Sequence, residues 1–383
     1  MALVGHSGMW AQDSTSIKNA WQIEAQIEIG RILKTNYFLQ DNIEGKLPYT
    51  GYSLQWIKNS TGAKDWEKLY NYPSYGIGVF AYDYHTDIDF GSPFGVYGVF
   101  VPVAREFGKW RWQHQFQFGI SFNSRPFSVE DNYLNPSIGS KTNMFISLGT
   151  GLYYELGNNF DLGVNLKLNH MSNGALKTPN KGFNIGAAQL SVVYHPERAK
   201  RKALDSLGSP IKDERFNTVE LSAFAGRKNV FYKDINRSHL KLYEGLDYSV
   251  GGVEAFYMKQ YSRKSAYGMG VGVTYDEHYN HAMYVQDSTL MDKRRFSNNE
   301  VLLSIIPSYR LMIDKLYVNI GAGYYVNKKS REYDKSKFFQ RIGLHYQFTD
   351  RLFASFAINA YDFHVANYLE WKIGYTLFRK KTN

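Results

Sequence analysis

From Asn159 to His170 the chain reads N-F-D-L-G-V-N-L-K-L-N-H, and this stretch decides the fold. Phe160, Leu162, Val164, Leu166 and Leu168 occupy one set of alternate positions; Asp161, Gly163, Asn165, Lys167 and Asn169 occupy the other. An extended chain sends successive side chains to opposite faces, so this is a strand with one apolar face and one polar face apart from a single Gly. In a soluble sandwich the polar face would look outward, whereas in a membrane barrel it lines the lumen.

The pattern recurs. Trp21, Ile23, Ala25, Ile27 and Ile29 alternate with Gln22, Glu24, Gln26 and Glu28. Trp110, Trp112, Phe116, Phe118 and Ile120 alternate with Arg111, Gln113, Gln115, Gln117 and Gly119. Near the carboxyl end Leu369, Trp371, Ile373, Tyr375 and Leu377 alternate with Glu370, Lys372, Gly374 and Thr376, like the closing strand of an outer-membrane barrel. With 31 Tyr, 25 Phe and 33 Gly in 383 residues, the composition favours strands and tight turns over helices. Mean hydropathy is −0.42 and no long apolar run occurs, which excludes a transmembrane helix bundle but not a barrel. The chain has 0 Cys, so disulfides, thiolate metal sites and a Cys nucleophile are excluded. A formal net charge of +10 asks for an anionic partner. For a barrel, the phosphates of lipopolysaccharide fit that role better than nucleic acid.

Short turns at Ser60–Asp65, Glu106–Lys109, Gly157–Asn158, Ser262–Ser265, Asp314–Lys315 and Thr349–Asp350 roughly alternate with long connections around Asn123–Thr142, His278–Asn299 and Asn327–Ser336. Such alternation is expected of short periplasmic turns and long extracellular loops. The expected fold is therefore all-β, a transmembrane antiparallel up-and-down barrel of roughly 14–16 strands in the bacterial outer membrane. Residues 16–383 form one such barrel in this reading, and two smaller barrels divided at the basic 196–215 segment are the second option. Residues 1–15 are either the remnant of a signal peptide, with a cleavage region near Ala11, or a disordered leader. The basic run Arg198, Lys200, Arg201 and Lys202 falls on the periplasmic side, where inner-leaflet phospholipid or a protein partner could meet it.

One loop carries candidate chemistry: His170-Met-Ser172-Asn173-Gly174, then Lys177-Thr-Pro179-Asn180-Lys-Gly182-Phe-Asn184. His170 and Ser172 are two apart, so in an extended chain both point the same way, and the phase of the strand makes that the apolar, lipid-facing side. There the imidazole could act as general base towards the hydroxyl. Counting back from Leu190, Val192 and Tyr194 puts Asn184, Gly186 and Ala188 on the same surface, leaving a shallow groove suited to an acyl chain. Asn, Gly, Ser and Pro are also ordinary turn residues, which is the alternative account of the loop.

This loop, H-x-S-N-x(5)-P-N-x-G, resembles the signature of the lipid A 3-O-deacylase family, the PagL type, also called acyloxyacyl hydrolases. A more diffuse likeness to larger relatives from Bacteroidetes includes the run from Trp66 and the run from Phe339. The resemblance implies a serine esterase on the outer wall of a barrel, needing no cofactor and no metal and acting on outer-leaflet lipid A. By position it makes Ser172 the nucleophile, His170 the base and Asn180 an oxyanion donor, with backbone N–H groups near Asn173 and Gly174. The best-known members carry a glutamate where this chain has Asn184. Asparagine can orient the imidazole but brings no charge, and a comparable Asp→Asn change lowers kcat by roughly 10⁴. A loop carboxylate, Glu130 or Asp131, could substitute.

Other features allow two readings each. His85, Asp87 and Asp89 could hold calcium or be turn residues, as could Asp276, Glu277, His278 and His281. The basic stretch Arg227–Lys241 could hold lipid A phosphates or be a solvated loop. Glu370 and Lys372 point to the lumen and suit an ion pair. Against the esterase stand a catalytically inactive barrel acting as a structural or assembly subunit of an outer-membrane complex, and a passive pore.

Overall fold

The computed structural model describes residues 21–35, 40, 47–86, 89–128, 130–198, 215–230, 245–281, 300–328, 336–362 and 365–382. The leader, most of the basic 196–215 segment and the centres of several long loops lie outside them.

The strands are β1 (Trp21–Leu33), β2 (Pro48–Asn59), β3 (Ser74–Tyr84), β4 (Gly91–Val101), β5 (Val103–Phe107), β6 (Trp110–Ser124), β7 (Asn143–Leu156), β8 (Phe160–Ser172) and β9 (Phe183–Tyr194). There follow β10 (Arg215–Val230), β11 (Leu246–Ser262), β12 (Ser265–Asp276), β13 (Val301–Ile313), β14 (Leu316–Tyr325), β15 (Phe338–Gln347), β16 (Leu352–Tyr361) and β17 (Val365–Thr382). All pairings are antiparallel between chain neighbours except where a barrel closes. β1 pairs with β9 from Ile23↔Tyr194 to Leu33↔Asn184, and β4 pairs with β6. β10 pairs with β17 from Arg215↔Thr382 to Arg227↔Leu369.

The protein is thus two closed eight-stranded barrels, not one barrel of 14–16 strands. Alternation along a strand says which face is apolar. It carries no information on which strand closes onto which, and here β9 returns to β1 before β10 begins. β4 and β5 are one strand broken at Pro102, which has no N–H to give the ladder. The Ser60–Asp65 turn is also longer than expected: it runs on through a short helix, α1 (Asp65–Leu69), to β3. A second short helix, α2 (His278–His281), follows β12.

The faces fall as the alternation requires. On β8, Leu162, Val164, Leu166 and Leu168 are 47–68% exposed, while Asp161, Asn165, Lys167 and Asn169 are buried. At the end formed by the short turns, Trp110 packs tilted against Tyr154 and Phe160 against Tyr194, outward-facing aromatics of the kind that girdle membrane barrels. Both interiors are filled. In the first, Lys167 meets Glu28 at 2.5 Å, and Tyr49 and Asn169 also bond Glu28. In the second, Arg310 forks onto Glu220 at 2.8 and 2.9 Å, and Arg341 bridges Glu254 and Glu370. Eight strands leave an interior just wide enough for side chains to fill, so each buried charge there needs a partner.

The barrels touch at three levels. At the short-turn end Asp65 pairs with Arg263 at 2.9 Å and the Tyr70 hydroxyl donates to the Met312 carbonyl at 2.8 Å. Half-way along, the rings of Phe118 and Phe356 lie 6.3 Å apart. At the long-loop end the segment 174–178 rests on β10 and β17.

Candidate active site

The site is built by the β8–β9 ladder and the loop that joins it. β8 continues two residues past His170 to Ser172, so the two side chains share the outward face. Opposite His170 in the register stands Asn184. The ladder itself therefore sets the three groups in line. His170 Nε2 lies 3.0 Å from Ser172 Oγ, and His170 Nδ1 lies 2.7 Å from Asn184 Oδ1. With the Nδ1–H donating to Asn184, Nε2 is left to accept the Ser172 proton.

A fourth residue, Thr35 just beyond β1, joins the line. Asn184 Nδ2 donates to Thr35 Oγ1 at 2.9 Å, which keeps the amide oxygen turned towards the imidazole. Nothing in the pattern of the sequence marks Thr35, because β1 reaches the site through barrel closure, not through proximity in the chain. Glu130 and Asp131 do not stand in for the missing glutamate. Asn184 already occupies the imidazole Nδ1, and Asp131 pairs with Arg125 at 3.1 Å. A hydrogen bond with Ser128, and then the Arg125 charge, hold the Asp131 carboxyl below its usual range.

The loop supplies the rest. Asn173 N–H donates to Asn180 Oδ1 at 3.3 Å, placing the Asn180 amide beside the residue that follows Ser172. Asn180 Nδ2 is buried and has no hydrogen-bond partner among the described residues. A buried donor left unpaired costs roughly 1–3 kcal/mol, and this one is available to an acceptor entering beside Asn173. The Asn173 side chain ties the loop together through Lys177 O at 2.8 Å and Ser140 Oγ at 3.0 Å. Gly174 and Gly182 both have positive φ, +64° and +78°. At Gly182 a Cβ would also sit 2.8 Å from His170 Cε1, so the backbone conformation and the imidazole both require glycine there.

Gly186 and Ala188 lie opposite Leu168 and Leu166, outward and below the dyad. Other candidates among the described residues are engaged elsewhere. Asp89 pairs with Arg125, and His85 Nε2 meets Thr50 Oγ1, while Asp87 lies outside the described residues. Asp276 is paired at 2.6 Å with Lys228, which is buried inside the second barrel and so cannot reach a lipid phosphate. Arg227 pairs with Asp247, and the basic stretch beyond Val230 lies outside the described residues.

Residues 50–193 match the family model of lipid A 3-O-deacylase (PagL), and residues 217–380 match that of the acyloxyacyl hydrolase C-terminal domain. The chain belongs to the PagL family. Each match falls on one barrel, and family members are outer-membrane hydrolases acting on lipid A. The resemblance read from the motif, and from the runs at Trp66 and Phe339, to the PagL-type family is thereby upheld across residues 50–380. No curated protein matches. Among solved structures, an outer-membrane channel from Pseudomonas putida F1 is 12% identical over 98% of this chain and 100% of its own, with a TM-score of 0.21. A mutant porin from Rhodopseudomonas blastica is 8% identical over 94% and 99%, with a TM-score of 0.18. Both are outer-membrane proteins superposing poorly on these paired barrels, and the family assignment rests on the sequence matches.

Proposed function

We propose that this PagL-family protein is a serine esterase that removes an acyl chain from lipid A in the outer leaflet, with Ser172 as nucleophile. The observation that carries the proposal is the line Asn184–His170–Ser172 on the outward rim of β8 and β9, next to the unpartnered Nδ2 of Asn180.

The chemistry follows from that line. His170 takes the Ser172 proton at Nε2 as Oγ attacks the ester carbonyl. The tetrahedral oxyanion accepts a hydrogen bond from Asn180 Nδ2, with backbone N–H groups around Asn173 and Gly174 as further donors. The imidazolium then returns the proton to the departing sugar hydroxyl, and water clears the acyl-enzyme by the same steps. Asn184, held by Thr35, fixes the imidazole tautomer without lending charge. Leu168 and Leu166 beneath the dyad offer the freed and incoming acyl chain an apolar wall. No step calls for a metal or cofactor.

The test is mass spectrometry of lipid A from cells carrying the wild-type protein or Ser172→Ala. The expected result is lipid A lighter by one ester-linked acyl chain with the wild type alone. Identical acylation in both would sink the catalytic claim and favour a structural subunit.

A further inference from the structure

On the second barrel, two positions break the rule that outward side chains are exposed. The outward series of β10 runs Leu221, Ala223, Ala225, Arg227, Asn229, yet Asn229 is only 7% exposed. On β17, Trp371 and Ile373 are 66% and 68% exposed, while Leu369, next in the same outward series, is 4% exposed. Arg227 and Leu369 are register partners, so the two covered positions are neighbours on one patch of wall. What covers them is residues 174–178 of the first barrel, the loop between Ser172 and Asn180.

The contact is polar and specific. Asn229 N–H donates to the Ala175 carbonyl at 2.8 Å, and Asn229 Oδ1 accepts from the Thr178 N–H at 2.9 Å. The Thr178 hydroxyl donates to the same oxygen. Asn229 Nδ2 in turn donates to Asp247 Oδ1 at 2.9 Å, and Arg227 holds the other oxygen of Asp247. The Asn229 N–H, Oδ1 and Nδ2 are all engaged, and Asp247 turns the amide so that its oxygen faces the loop. Gly245 makes room: a Cβ there would lie 2.0 Å from Asn229 Oδ1 and 2.6 Å from Thr178 Oγ1. Leu369 closes the other end, since a Cβ on Gly174 would lie 2.4 Å from its Cδ2.

We infer that Asn229 is a positioning residue for the deacylase site, and that the second barrel braces the loop bearing Asn173 and Asn180. The inference rests on the esterase reading above. An oxyanion donor on an irregular loop is useful only if the loop is held. A misplacement of about 1 Å can cost on the order of 10² in rate. Residues 174–178 carry no ladder of their own, and Asn229 gives the middle of the loop two backbone anchor points outside the first barrel.

The experiment compares full-length wild type, Asn229→Ala, Thr178→Val, Thr178→Ser and Ser172→Ala. It measures amide hydrogen exchange over 173–180, the folded fraction, and kcat and KM on lipid A in mixed micelles. For Asn229→Ala the expected result is faster exchange in that loop and kcat lower by about tenfold per folded molecule, with KM little changed. The acid limb of the pH profile stays in place, because the His170–Asn184 pair is untouched. Thr178→Ser, which keeps the hydroxyl, stays closer to wild type than Thr178→Val. Unchanged exchange, or an activity loss no larger than the loss of folded protein, overturns the inference. If wild type and Ser172→Ala both leave lipid A intact, the esterase reading has failed, and the exchange comparison still decides whether Asn229 braces the loop.

Discussion

The most informative residue is Asn184, because it stands where a charge would be expected. A neutral amide orients His170 but would leave the imidazolium of the proposed transition state unpaired, so the proposed triad should turn over slowly. Asn184→Glu should therefore raise kcat, by about tenfold or more out of the roughly 10⁴ that a buried carboxylate can supply. The Thr35 hydroxyl can turn to donate to the new oxygen. The sign of the pH effect follows: His170 must be neutral to accept the Ser172 proton, so activity falls as pH drops through its pKa. A carboxylate at 184 stabilises the imidazolium, so the acid limb of kcat/KM should move to higher pH in Asn184→Glu; an unmoved limb would mean that position 184 does not face the imidazole in solution. Asn180→Ala should lower kcat by on the order of 10²–10³ with little change in KM, measured by steady-state kinetics on lipid A micelles. His170, Ser172, Asn180 and Asn184 were legible because a strand phase and a motif spacing both end on them. Thr35 and Asn229 were not, since each comes from a distant segment through closure or docking, and neither has a periodicity to betray it.

At the scale of the element, β8 shows how far alternation reaches. It gave the face of every residue from Phe160 to Asn169, and it correctly carried His170 to the outside. Opposite faces of this one strand should respond oppositely to charge. Leu166 is 68% exposed on the lipid side, so Leu166→Arg should cost about 2–4 kcal/mol if it sits near the bilayer midplane. Its neighbour Lys167 is buried against Glu28 at 2.5 Å. There Lys167→Met removes a charge and should still destabilise, by about 3–5 kcal/mol, because Glu28 is left buried without its cation. Urea unfolding in liposomes measures both, and a stabilising Lys167→Met would mean that the interior charges are solvated. The same alternation fails at Leu369 and Asn229, whose phase is outward but whose surroundings are protein. Phase describes one strand against its own barrel and carries no information about what leans on that barrel from outside.

For the whole molecule, roughly 14–16 strands were countable in the sequence, and closure into two barrels was legible only as the second option, a division at the basic 196–215 segment. Strand number per barrel is set by which edge finds which, a long-range pairing that leaves no local mark. The β1–β9 ladder sets inward Gln26 opposite Ser191 and Glu28 opposite Gln189, and interior charges are satisfied within the first barrel: Glu28 by Lys167, Asp161 by Arg111 and His195. By contrast, the ties between barrels at the short-turn end are partly exposed ion pairs such as Asp65–Arg263 and Lys64–Asp314, each worth little. The first barrel should therefore close without the second. Residues 1–198 expressed alone should reach the outer membrane and migrate as a compact, heat-modifiable band on a gel. They should also deacylate lipid A at least about tenfold more slowly than the full chain, no faster than Asn229→Ala, because the loop at 174–178 has lost its whole seat while the His170–Ser172 pair has not. Full activity of the isolated barrel would leave the second barrel without a role at the site. Failure to fold would show that the two closures depend on each other, which the separate satisfaction of their interior charges argues against.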